Sequence, residues 1–186
     1  MLHLRTIWAG LAVTAALDLY EIRYTIPALK RLAGGQRIFD MRWGGYDLAD
    51  AARYLDALGE KGRAFYATWH LPADTVLASV EGPALILAGL RLTSAGGAIP
   101  ETVRPPLRVA LVVLPLLTAA LDLTENACVA LMLADWPHLS AAVVGVASFA
   151  TVMKWPTAMA SLAALAGTAA WTFFSRIRRK APSPGR

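Results

Sequence analysis

Four long apolar stretches restrict this chain more than any other feature. They cover residues 7–28, 66–92, 109–133 and 141–174, and a transmembrane helix needs about 20 largely apolar residues. Only helices and closed barrels satisfy their own backbone in lipid. The predicted fold is therefore all-α, a membrane-embedded four-helix bundle, with residues 1–175 as one transmembrane domain. A composition of 56% hydrophobic and 17% charged residues agrees. The first stretch is the weakest, because Asp18, Glu21 and Arg23 interrupt it. Arg5 followed by Thr14-Ala15-Ala16 also fits a cleaved leader. The apolar pattern resumes through Tyr24 and Leu29, however, which favours a retained helix. The fourth stretch exceeds one span and should tilt or project.

The connection between the first two stretches has structure of its own. Gly34-Gly35 closes the first helix. Asp47 or a neighbour is placed to cap a short amphipathic helix carrying Leu48, Ala51, Ala52, Leu55 and Leu58, which Gly59 and Gly62 then break. Flanked by Arg37, Arg42, Arg53 and Arg63, this helix is expected to lie in the membrane interface. Gly96-Gly97 and Pro100, with Pro105-Pro106, mark the next loop. Asp135-Trp136-Pro137 makes the last turn very short.

A net charge of +5 draws heavily on Arg176, Arg178, Arg179, Lys180 and Arg186, a basic cytoplasmic tail over residues 176–186 that suits anionic headgroups. No aromatic-basic surface accompanies it, so nucleic acid is excluded as a partner; the bilayer is the partner expected. With Arg5, Arg91, Arg104 and Arg108 the tail puts nine cations on one side, against seven in the long connection. The positive-inside rule then places both termini in the cytoplasm of a cell membrane. The single Cys128 forms no intramolecular disulfide.

Ionisable residues inside a membrane are costly and face the bundle interior. Every predicted helix carries some: Asp18 and Glu21; His70, Asp74 and Glu81; Asp122 and Glu125, with the polar Asn126 beside them; Lys154. Counting about 1.5 Å per residue from the helix ends brings them into one layered cluster. Six acids face two permanent cations, Arg23 and Lys154, so the acids cannot all stay ionised at low dielectric. His70 also fits a headgroup anchor beside Trp69. Lys154 should pair with Asp122 or Glu125, with Asn126 donating to the acid left over.

Two runs carry a resemblance. The first holds Phe39-Asp40, Gly45-Tyr46, Leu58-Gly59, Gly62-Arg63, Tyr66 and Leu71-Pro72-x-Asp74. The second is Asp122-x-x-Glu125-Asn126, followed by Ser148-x-x-Thr151-x-x-Lys154-Trp155. The chain resembles an uncharacterised family of small four-span, chiefly bacterial membrane proteins. The resemblance brings no activity, but it favours Asp74, Asp122, Glu125, Asn126 and Lys154 as catalytic candidates over Asp18, Glu21, His70 and Glu81.

The leading expectation is acid–base chemistry, of isomerase or cyclase type, on a terpenoid, quinone-like or sterol-like molecule. Trp155, Thr151 and Thr118 are then the residues to contact that small apolar ligand. No metal and no cofactor is expected, since the paired Glu-x-x-His pattern of di-iron bundles is missing. The alternatives are a proton-coupled carrier, which at this size would act as a homo-oligomer, and an assembly protein whose polar core only specifies helix pairing.

Overall fold

The computed structural model describes residues 4–94 and 99–180, with the backbone alone at 176, 179 and 180. The Gly96-Gly97 break and the end of the tail, with Arg186, lie outside the described residues, as do the side chains of Arg176, Arg179 and Lys180. The described residues are helical and contain no strand. They form α1 (Leu4–Tyr20), α2 (Ile26–Leu32), α3 (Leu48–Phe65), α4 (Leu71–Leu92), α5 (Arg104–Ala134) and α6 (Ala141–Lys180). Three helical runs, Leu48–Leu92, Arg104–Ala134 and Ala141–Ser175, are long and apolar enough to cross a membrane. The α1–α2 rod does not reach that standard, because it carries the three charges noted above.

Two π turns join consecutive helices into continuous rods: Glu21–Thr25 links α1 to α2, and Tyr66–His70 links α3 to α4. Each precedes a proline, Pro27 or Pro72. A proline has no N–H to give, and its ring clashes with the carbonyl four residues back. The helix answers by widening. Ile26 N–H bonds to Glu21 O and Leu71 N–H to Tyr66 O, both five residues back. The first and last residues of each turn, Glu21 and Thr25, Tyr66 and His70, are the buried ones.

α4 packs against α1 on one side and α5 on the other, and α5 shares its longest contact with α6. Small residues permit the approach, as in membrane helix pairs. A Cβ on Gly10 would stand 3.0 Å from that of Ala84, and one on Gly82 3.0 Å from that of Ala119.

The connection between α2 and α4 is a folded cap against one end of the bundle. Gly34 (φ 63°) and Gly35 (φ 91°) turn the chain, and Asp47 Oδ1 caps α3 by accepting from Asp50 N at 2.8 Å. Gly59 (φ 61°) breaks α3, whereas Gly62 stays helical and buried, so one of the two glycines expected to end that helix does so. The cap buries Phe39, Tyr46, Tyr54, Leu55 and Leu58 against Tyr66, Val129, Met132, Val144 and Ala147. Phe39 is its hub, with ring centroids 4.7 Å from Tyr46 and 4.8 Å from Tyr54. This apolar face packs on protein.

Candidate functional site: a buried lysine among carboxylates

Below the cap the interior turns polar. Lys154 lies on α6 one turn after Thr151, and both are buried. Its Nζ donates to Asp40 Oδ1 at 2.7 Å and to Asp122 Oδ1 at 2.8 Å. It also stands 2.7 Å from Glu125 Oε2, an ion-pair contact bent outside hydrogen-bond direction. Asp122 and Glu125 project from α5 one turn apart. An ammonium has three donors and no acceptor, so a ring of three acids suits it. Oxygens of these acids lie within 4.8 Å of one another, close enough to hold a metal ion. The lysine ammonium already sits against all three.

Asp40 was not among the residues singled out by sequence. It lies on a 3-10 turn, Phe39–Met41, and the cap lowers it into the bundle. Trp155 Nε1 donates to its carbonyl at 2.9 Å. Tyr66 Oη donates to Asp40 Oδ2 at 3.3 Å. A few residues on, Tyr46 N donates to Ser148 Oγ at 2.8 Å. Burial disfavours the Asp40 charge, but the Lys154 ammonium and His70 outweigh it and hold the carboxyl well below the usual aspartate range.

His70 joins the same network. It is 1% exposed, while neighbouring Trp69 is 55% exposed, so the headgroup position expected for it is corrected. The π turn at Tyr66–His70 carries the imidazole inward. Its Nδ1 is hydrogen-bonded to Thr25 Oγ1 at 2.8 Å, and its Nε2 stands 3.5 Å from Asp40 Oδ2. The two π turns therefore meet through a threonine and a histidine.

The other candidates divide. Glu21, Asp74 and Asn126 are buried, and Glu21 Oε1, Asp74 Oδ2 and Asn126 Nδ2 have no hydrogen-bond partner. Asn126 thus does not make the bond expected of it. Asp18 and Glu81 are half-buried. Arg23 is exposed on the outer side of its π turn, so the second cation expected in the cluster is not in it. Among the described residues Lys154 is the buried lysine or arginine of the bundle.

The three residues proposed for ligand contact are engaged internally. Trp155 holds Asp40, the Thr118 and Thr157 hydroxyls lie 3.0 Å apart, and Thr151 Oγ1 donates to Ala147 O at 3.0 Å. A narrow cleft between α4, α5 and α6 reaches Asp122, with Glu81, Thr118 and Ser161 also on its walls. Its free volume is about 20 Å³, room for about one water molecule.

No protein-family model, curated protein or solved structure matches this chain.

Proposed function

We propose that the chain is a four-span protein of a cell membrane whose buried carboxylate–lysine–histidine network relays protons, as part of a proton-coupled carrier. The observation that carries this reading is the Lys154 ammonium within ion-pair distance of Asp40, Asp122 and Glu125, at 2.7, 2.8 and 2.7 Å. Three carboxylates and one ammonium leave uncompensated negative charge, and burying unpaired charge costs several kcal/mol per ion. Mobile protons discharge it. Asp40 continues the chain of groups to His70 and Thr25, and Asp122 opens it to the cleft and Glu81.

The membrane setting is supported by an inside-out pattern. Val109, Leu116, Phe149, Met159 and Phe173 are exposed, while Glu125, His70 and Lys154 are buried. The α1–α2 rod supplies the fourth span on this reading, and the charge count puts both termini in the cytoplasm. α3 lies at the far interface as part of the cap. Acid–base catalysis on a small apolar ligand asks for a ligand-sized apolar chamber at Asp74 and Glu125. The cleft that reaches the cluster has room for about one water, so the relay is preferred.

The test is proton uptake by proteoliposomes containing a pH-sensitive dye, driven by an imposed membrane potential. Uptake above that of empty vesicles is expected, and Asp122→Asn and Lys154→Met should abolish it in protein that still melts cooperatively. Uptake equal to that of empty vesicles at both polarities overturns the relay.

A further inference from the structure

The cleft beside Asp122 has a chemistry the relay does not use. Its walls bring four oxygen-bearing side chains from three helices: Glu81 of α4, Thr118 and Asp122 of α5, and Ser161 of α6. Ser161 is 3% exposed, yet its hydroxyl has no hydrogen-bond partner. A buried hydroxyl left unpaired costs about 1–3 kcal/mol, so its place in the wall of a small cavity points to an occupant. The close approach that shapes the cavity depends on Gly82. A Cβ there would come 3.3 Å from Pro115 O as well as 3.0 Å from Ala119 Cβ.

Size, donor type and charge define that occupant. The free volume of about 20 Å³ admits one water-sized particle. Within an otherwise apolar wall, these four side chains offer hard oxygen donors, which select hard cations. Asp122 Oδ1 already accepts from Lys154, and Glu81 has no ion-pair partner among the described residues. With Glu81 ionised, the wall carries roughly one unspent negative charge. Calcium asks for 6–8 oxygen ligands, and one spare charge suits a monovalent ion.

We propose that this cleft binds a sodium ion. The binding stands on the cleft alone; its role, as the ion coupled to proton movement at the mouth of the relay, rests on the function proposed above. Glu81 supplies the balancing charge, Asp122 bridges sodium and Lys154, and Thr118 and Ser161 complete the oxygen set.

The test is thermal unfolding of the purified full chain, followed by tryptophan fluorescence, in sodium, potassium or choline chloride at matched ionic strength and pH. Sodium should raise the midpoint saturably by roughly 2–4 °C over choline. Ser161→Ala should displace that rise to higher sodium concentration, and Glu81→Gln should remove it. Equal midpoints in sodium and choline overturn the site, as does an unaltered sodium response in Ser161→Ala, a substitution too small to threaten the fold. An equal rise in potassium overturns the choice of sodium. A sodium response without proton uptake in vesicles sinks the relay and keeps the site; uptake without a sodium response does the reverse.

Discussion

Lys154 touches acids from two distant parts of the chain, Asp40 in the cap and Asp122 and Glu125 on α5. Its replacement should therefore be felt in both. Lys154→Met strands a ring of carboxylates, and removing one partner of a buried ion pair costs about 3–5 kcal/mol. Double-mutant cycles of Lys154→Met with Asp40→Asn, Asp122→Asn and Glu125→Gln, read from unfolding midpoints, should each give coupling of about 0.5–3 kcal/mol. Coupling near zero in all three would show that the ring is not an energetic unit. Asp40 adds a pH signature. Its carboxyl is held lower when folded than when unfolded, and an unfolded aspartate titrates near about 3.9. Its stabilisation is then complete above that value and is lost as pH falls towards the folded value. The midpoint gap between wild type and Asp40→Asn should narrow in acid below about pH 4. A gap independent of pH would place the Asp40 contribution in packing.

Helices, caps and turns show how far local sequence carries. The Asp47 cap, the Gly34-Gly35 stop and the Gly59 break follow from residue preferences that act within one turn, and they are legible as such. Lys154 and its α5 acids were also legible, because α5 and α6 are antiparallel neighbours across a short turn. Asp40 was not, since it meets Lys154 across 114 positions and lies in no periodic pattern. The one available signal was its place in the Phe39-Asp40 pair of the shared run, where a lone acid in a connection reads as a solvated one. For His70 the cluster position was legible beside a headgroup alternative, and helical counting alone could not choose between them because it cannot see a π turn. Pro27 and Pro72 are the local cause of those turns, and this can be checked. Pro72→Ala returns an N–H at the site of the widened turn. The segment should relax to regular α-helix and swing His70 off Thr25. A changed imidazole nitrogen resonance for His70 is the expected readout; an unaltered one would count against the proline as the cause.

The apolar lengths made the helical architecture legible at the scale of the whole molecule, while the cap folded onto the bundle was not. An amphipathic helix reads alike whether lipid or protein covers it, and only the aromatic hub around Phe39 distinguishes the two. On the four-span reading proposed above, with α1–α2 as a charged fourth span, the charge count puts the C-terminal end on the same side as Arg5, Arg91 and Arg104. Single-cysteine labelling in intact cells should find a reporter at residue 186 protected from an impermeant reagent and one at Asp56 accessible. The reverse pattern inverts the orientation. Orientation aside, the 40 residues of α6 extend about 60 Å, twice a hydrocarbon core of about 30 Å. Its C-terminal turns therefore stand clear of the lipid or cross it at a steep tilt.

The position of Lys154 after all three of its acids also orders events during synthesis. Asp40, Asp122 and Glu125 leave the ribosome before it, and Lys154 follows Asp122 by 32 positions. At about 5–20 residues per second, Asp122 waits some 2–6 s for its ammonium and Asp40, 114 positions ahead, some 6–23 s. Through that interval the nascent chain holds the negative half of its interior without the positive half, and Asp40 has Tyr66 and His70 beside it but neither Lys154 nor Trp155.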